Sequence, residues 1–467
     1  MCHAFSRRPP VFVSNNGNHS MTTIILCVFV LGYMSIALEH QLNINKAASA
    51  LLIGVIGWAL YVLNLEVLLP IGTIPEWFTD EAIAEDVEDI GRSFVIESQH
   101  LHLTGEIAGI LFFLMGAMTI VELVDAHEGF ALVTDRIRTR RKGTLLWIVG
   151  FMTFFMSAVL DNLTTTIVMV SLLRKLVDDR EDRLRYVGLV VIAANAGGAW
   201  TVIGDVTTTM LWIKHKIGTV EVMSDLFFGS LVCLLVPLIG MSFVMRGYLQ
   251  APPQKRNHLD KSIRPWQQWL FLILGLLGLI SVPVFKATTH LPPYMGIMLN
   301  LGMLWVVSEL VSHTMDEATR SSTGVLAALR RVDMSTILFF LGILLAVGSL
   351  GAMGLLRNAA EWLDTVLPNR DVVALAIGLV SAVVDNVPLV AGGIEMYALP
   401  TNDNFWMLLA YCAGTGGSCL IIGSAAGVAA MGLENIDFLW YLRRIAPWAF
   451  AGYAAGALVI LLQRALS

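Results

Sequence analysis

Two stretches decide how this chain folds: Ser157-Ala158-Val159-Leu160-Asp161-Asn162-Leu163-Thr164 and Ser381-Ala382-Val383-Val384-Asp385-Asn386-Val387-Pro388. Each sets a carboxylate and a carboxamide inside otherwise apolar sequence. Downstream of each comes a second shared pattern, Gly197-Gly198 then Ile203-Gly204 in one half and Gly416-Gly417 then Ile422-Gly423 in the other. The copies lie 224 residues apart for the first pattern and 219 for the second, so the chain is an internal duplication.

Working outward, the 467 residues are 56% hydrophobic and only 14% charged, with a mean hydropathy of +0.71. Soluble domains carry roughly 25% charged residues, so this composition reads as a polytopic, all-α integral membrane protein. The expected setting is a bacterial-type inner (plasma) membrane, with the lipid bilayer as partner and no nucleic acid. Five cysteines (Cys2, Cys27, Cys233, Cys412, Cys419) form no Cys-x-x-Cys and read as small structural hydrophobes.

Residues 1–21 read as a flexible N-terminal segment. Residues 22–38 are either a thin first span or a signal peptide ending near Ser35-Ile36-Ala37; the repeat count requires a span. A second span covers 47–65. The stretch 66–103 holds nine acids against one base, Arg92, and a third span is expected at 104–124. The run Asp135 to Lys142 is the most basic loop in the chain and is therefore assigned to the cytoplasm, which leaves 66–103 external.

Basic residues flank 144–173 on both sides: Arg136 to Lys142 before it, Arg174 to Arg185 after it. Both ends are thus expected on one side, making the segment a re-entrant hairpin with Asp161-Asn162 at its tip. Irregular backbone at that depth requires surrounding protein or a water-filled cavity. An interrupted span over 186–213 and a return span over 225–245 complete the first repeat, 22–250. The second repeat, 266–467, offers spans at 266–285, 294–312 and 334–352, a hairpin at 371–399, an interrupted span at 404–431 and a last span at 445–463. Five crossings per half is odd, so the halves have opposite orientation: two inverted repeats, about ten full transmembrane helices plus two re-entrant hairpins. Amphipathic stretches at 129–142 and 354–367, one before each hairpin, read as interfacial helices.

A carboxylate at bilayer depth costs about 2.5 to 3.5 kcal/mol on insertion scales, so Asp161, Asp205 and Asp385 each need a function or a partner. The structural alternative is that they cap broken half-helices, a role open to Asn162 and Asn386 as well. The polar company suits a small hard cation, which takes its ligands from carboxylate, amide, hydroxyl and carbonyl oxygens. The candidate ligands are Asp161, Asn162, Thr164, Asn195, Asp205, Thr207, Thr208, Ser381, Asp385, Asn386, Ser418 and Ser424. Any single hydroxyl among them more often bonds its own helix backbone. The glycines unwind the helix and free carbonyl oxygens at half-helix C-termini, where cations are favoured. No nucleophile-and-base pair, cofactor motif, His-Glu-x-x-His or Walker-type loop occurs, so no enzyme activity or cofactor is expected and transport would run on a gradient. His102 and Glu106, four apart on a helix, are read as an external proton relay or pH sensor, or else as a plain interfacial pair.

Asp161-Asn162-Leu163-Thr164, Asn195-Ala196-Gly197-Gly198-Ala199-Trp200-Thr201, Gly204-Asp205-Val206-Thr207-Thr208 and Asp385-Asn386-Val387-Pro388 resemble the NhaD-type sodium/proton antiporters, as does the stretch from His102 to His127. That family belongs to the ion transporter superfamily. The resemblance implies two inverted repeats, a homodimer, an elevator-like motion, and exchange of Na+ or Li+ for H+ with Na+ exported. Related dicarboxylate transporters carry Ser-Asn-Thr at the hairpin tips; an anionic Asp-Asn there should repel a carboxylate substrate. An exporter of arsenite or another anion or oxyanion is the alternative within the same superfamily. The halves are unequal, with Val387-Pro388 standing for Leu163-Thr164 and Ser424 for Asp205.

Overall fold

Every long apolar run of the sequence becomes a helix. In chain order these are α1 (Asn16–Ala37), α2 (Lys46–Leu63), α3 (Leu101–Ala126), α4 (Lys142–Leu160), α5 (Asn162–Leu176), α6 (Arg180–Gly198), α7 (Val206–Ile213) and α8 (Thr219–Val244). The remainder of the chain supplies α9 (Pro265–Thr289), α10 (Pro293–Ser312), α11 (Met334–Ala352), α12 (Leu355–Val366), α13 (Arg370–Val380), α14 (Asn386–Met396), α15 (Asn404–Gly416), α16 (Ala425–Glu434) and α17 (Ala446–Leu466). The computed structural model describes residues 16–37, 39–42, 44–69, 74–75, 78, 87–134, 137, 139–249, 263–313, 315–367 and 369–466. Among them, eight helices are long and apolar enough to cross a bilayer, and α1 and α16 contribute shorter apolar helices. The protein is a polytopic integral membrane protein.

The chain divides into two units, one made of residues 1–108 and 335–360, the other of 109–334 and 361–467. In the first, Asn45 caps α2 by accepting from Ala47 N at 2.8 Å. Trp58 Nε1 of α2 donates to Leu345 O of α11 at 3.0 Å, and Tyr61 OH donates to Gln99 Oε1 at 3.2 Å. Phe94 and Val95 are buried with Trp58, Tyr61 and Leu65. That burial corrects the expected start of the third span. Helix Val87–Ser93 and a π-helical segment Phe94–His100 run straight into α3, so the connection read as a loop to residue 103 is helical from Val87 onward.

Two further differences are local. Helix α1 begins at Asn16, inside the segment expected to be flexible, while residues 1–15 lie outside the described residues. The expected amphipathic helix at 129–142 is one helical turn, Ala131–Thr134. Beyond it the backbone of Arg140 to Lys142 pairs with Gly247 to Leu249 (Lys142 N to Gly247 O 3.0 Å, Leu249 N to Arg140 O 2.8 Å), which satisfies the peptide groups without a helix. Its counterpart α12 does form, with Trp362 and Val366 on an exposed apolar edge. Glu85, in the stretch read as external, and Lys255, between the two repeats, lie outside the described residues.

Both hairpins belong to the second unit. Helix α4 runs parallel to α6: Tyr186 OH donates to Lys142 O (2.8 Å) near one end, and Ser157 Oγ donates to Ala194 O (2.6 Å) near the other. Helix α5 runs back along α6, with Asn162 bonded to Asn195 at the deep end and Arg183 Nη1 donating to Val177 O at the shallow one. Thus α4 and α5 form a hairpin with Asp161 at its tip. The second hairpin repeats this construction: α13 lies parallel to α15 (Ser381 Oγ to Ala413 O, 2.8 Å), and α14 returns to Tyr397, which packs edge-on against Phe405 with ring centres 4.8 Å apart.

Candidate cation site

Each broken helix is interrupted where its hairpin tip meets it, and the glycines make the meeting possible. A β-carbon at Gly197 would stand 2.2 Å from Phe154 O, and one at Gly416 would stand 2.0 Å from Gly378 O. The two broken helices run in opposite directions. The C-terminal end of α16 meets the start of α6, where Glu434 accepts from Arg183 Nε (2.9 Å) and Arg174 Nε (2.5 Å). The end of α7 meets the start of α15, where Asn402 N donates to Lys216 O (2.8 Å) and Thr401 Oγ1 to His215 O (2.7 Å). The two opposed broken helices and the two hairpins together leave four inner helix ends of each polarity.

All four inner N-termini are capped. Asp161 accepts from Thr164 N (2.8 Å) and Thr164 Oγ1 (2.9 Å). Asp205 accepts from Thr207 N (3.3 Å), Asp385 from Val387 N (3.4 Å) and Ser424 from Gly427 N (3.2 Å). Capping and cation binding coexist, because a carboxylate has about four lone-pair sites and a cap takes one or two.

Two hydrogen-bond chains join the halves. Asn162 Nδ2 donates to Asn195 Oδ1 (3.0 Å), and Asn195 Nδ2 donates to Ser424 Oγ (2.9 Å). Asn386 Nδ2 donates to Asp205 Oδ2 (3.3 Å). Asn162, Asn195, Asp205, Asn386 and Ser424 are all buried, while Asp161 and Asp385 are half-buried. Asp205 is within electrostatic reach of both Asp161 and Asp385. Asp161 and Asp205 also line one small cavity of about 20 Å³, walled by Phe113, Leu114, Met118, Val121 and Leu279 among others; none of its lining residues is basic.

The structure sorts the sequence candidates. It brings Asp161, Asn162, Asn195, Asp205, Asn386 and Ser424 together and places Asp385 within electrostatic reach of Asp205. Four candidate hydroxyls donate their protons within the protein, Thr164 to Asp161, Thr208 to Asp205 O, Ser381 to Ala413 O and Ser418 to Thr415 O, and keep their oxygen lone pairs. Thr207 contributes its backbone N–H to the Asp205 cap. Thr165, part of the polar run after Asp161 but outside the candidate ligand set, has its Oγ1 buried without a hydrogen-bond partner one residue beyond the capping Thr164. Sequence reasoning missed Gly414, whose absent side chain leaves room for Asp205: a β-carbon there would stand 3.3 Å from Asp205 Oδ2. Applying the 219-residue offset to Asn195 would have found it.

Comparison with known proteins follows the same lines. A family model described as citrate transporter matches residues 26–404. Sodium/proton antiporter 1 of Arabidopsis thaliana is 50% identical over 92% of this chain and 70% of its own length. Sodium/proton antiporter 2 of the same plant is 45% identical over 93% of this chain and 98% of its own length, and the Na(+)/H(+) antiporter NhaD of Alkalimonas amylolytica is 30% identical over 98% and 95%. The chain belongs to the NhaD antiporter family. Membership makes it a transporter by family and gives the paired Asp-Asn tips a common context: both sit in the part of the chain that NhaD relatives share over nearly its whole length. The pair flagged outside that site is also a structural pair, with His102 Nε2 standing 3.6 Å from Glu106 Oε1.

Proposed function

We propose that the protein exchanges Na+ (or Li+) for H+, exporting Na+ and taking up protons. The observation that carries this reading is the convergence of Asp161 and Asp205 on one cavity without a basic side chain, with Asp205 also in electrostatic reach of Asp385. A cation entering there meets carboxylate oxygens and the carbonyls of unwound half-helix C-termini. Among the described residues no three His, Cys, Asp or Glu side chains form a metal cluster, so neutral amide and hydroxyl oxygens would complete the shell of a transient ion. A carboxyl group that holds a proton presents less charge to Na+, so the two cargoes compete for the same oxygens. That competition is the antiport, and release of two protons for one Na+ would make it electrogenic.

The same proposal includes repeats over 22–250 and 266–467, with the hairpin mouth at Lys142 and Arg180 cytoplasmic, and a homodimeric assembly. The opposed broken helices support the inverted orientation. The citrate of the family model's description fits this site poorly, since a tricarboxylate would meet two carboxylates and no base. In everted membrane vesicles, Na+ or Li+ should dissipate an imposed proton gradient, and citrate or arsenite should not. Dissipation by arsenite or citrate and by neither cation would replace this reading with an anion exporter.

A further inference from the structure

An inverted duplication should generate two equivalent cation pockets, one beside each hairpin tip. The offsets of 224 and 219 residues pair their parts. Asp161, Asp205 and Asn386 of the first pocket correspond to Asp385, Ser424 and Asn162 of the second. The remaining pair is Gly414 and Asn195, and here the pockets differ in kind.

In the first pocket Asn386 reaches Asp205 directly, at 3.3 Å, and Gly414 contributes no side chain beside Asp205 Oδ2. Asp161 and Asp205 open on a cavity. In the second pocket Asn162 reaches Ser424 only through Asn195, whose carboxamide accepts from Asn162 at 3.0 Å and donates to Ser424 Oγ at 2.9 Å. Asn195 is fully buried and places its carboxamide beside Ser424, where the matching Gly414 places no side chain and Asp205 Oδ2 comes within 3.3 Å of where a β-carbon would stand. The charge count moves the same way, with two carboxylates in the first pocket and one in the second.

We infer that the protein binds Na+ in one of its two pseudo-equivalent pockets, at Asp161 and Asp205, and that the amide group of Asn195 stands permanently where the second cation would sit. The Asn195 amide satisfies Ser424 Oγ, a neutral oxygen, whereas the amide of Asn386 in the first pocket leaves the carboxylate charge of Asp205 for a cation. Asn195 also ties hairpin α4–α5, helix α6 and half-helix α16 together without an ion. Asn195 is then a specificity-determining residue that sets how many cations travel, and not a cation ligand. This rests on the Na+/H+ reading above.

The test is Na+ binding by equilibrium 22Na+ titration of the purified full-length protein, alongside the Na+ dependence of exchange in proteoliposomes. The wild type should saturate at one Na+ per protomer with a Hill coefficient of one. Asn195→Gly, which copies position 414, should double the Na+ bound and raise the Hill coefficient above one; adding Ser424→Ala should return it to one. Should Asn195→Gly fail to fold, Asn195→Asp keeps the size, supplies a carboxylate and should also double the bound Na+. Two Na+ per protomer in the wild type, or one in a folded Asn195→Gly or Asn195→Asp protein, overturns the inference while leaving the exchange reading intact. An absence of any saturable Na+ binding by the folded wild type would overturn the exchange reading itself.

Discussion

The two hairpin tips share a motif and differ in how tightly they are built. At the first, one residue separates the helices: Asp161 alone lies between α4 and α5, at φ 72° and ψ 162°, a region nearly reserved for glycine. Thr164 compensates by donating both its N–H and its hydroxyl to the Asp161 carboxylate. At the second, residues Ser381 to Asp385 spread the turn, and Asp385 has an ordinary φ of −49°. Thr164 is replaced there by Pro388, which has neither donor. Proline is tolerated because it falls in the first turn of α14, where a backbone N–H has no helical partner. Duplicated halves can therefore keep one chemistry while dividing rigidity between them, with a tightly held carboxylate at one tip and a less constrained one at the other.

The strongest way to break this comparison is to remove the charges one at a time. Asp161→Asn, Asp205→Asn and Asp385→Asn keep size and hydrogen bonding, and each should abolish Na+-dependent proton movement in everted vesicles while the protein still inserts. Normal exchange in Asp161→Asn or Asp385→Asn would reduce that carboxylate to a cap. A second intervention transfers rigidity: Pro388→Thr gives Asp385 the two donors Asp161 has. It should raise thermal stability by about 1 kcal/mol, the usual size of an N-cap contribution, and slow exchange several-fold. Faster exchange would show that constraint at this tip assists turnover.

The ends away from the tips differ too. On one side Glu434, with a side chain only 3% exposed, is shared by Arg174 and Arg183. On the other, Asp364 is more exposed, accepting from Tyr397 OH at 3.2 Å and pairing with Arg370 at 3.5 Å. Glu434→Gln leaves two guanidinium groups without their shared anion and should lower stability by about 2 kcal/mol, below the 3 to 5 of a fully buried pair because Arg174 is half in solvent. Asp364→Asn should cost about 1 kcal/mol or less. Thermal melts of both variants in one detergent would decide the order. The smallest effect is expected at His102, exposed and far along the chain from either tip: His102→Gln should shift the pH profile of exchange if the pair with Glu106 relays protons, and an unchanged profile would leave an interfacial ion pair.

Much of this was legible in one dimension. An aspartate in an apolar run is costly enough to mark a break, paired glycines mark where two backbones touch, and the doubled spacing marks a duplication. Hairpins at 142–176 and 370–396 and breaks after Gly198 and Gly416 followed from these signals. The π-helical entry to α3 did not, because Glu97 and Gln99 read as loop until Phe94 and Val95 are seen buried against Trp58 and Tyr61.

By itself the sequence determined that this is a membrane-spanning duplicated chain with carboxylates at two broken, glycine-lined sites, since the penalty for charge in lipid and the steric demand for glycine act on each residue wherever its partners are. Only the tertiary structure decided how the polar groups are tied to one another. Thr164, Thr208, Ser381 and Ser418 are alike by type, and each donates its hydroxyl proton to a different acceptor within the protein. The opposition of Asn195 to Gly414 takes on meaning only when two antiparallel helices bring residues 229 positions apart, Asn195 and Ser424, into one hydrogen bond. Hydrogen bonds reach about 3 Å, and no pattern along a single strand of sequence encodes a distance that short between its halves.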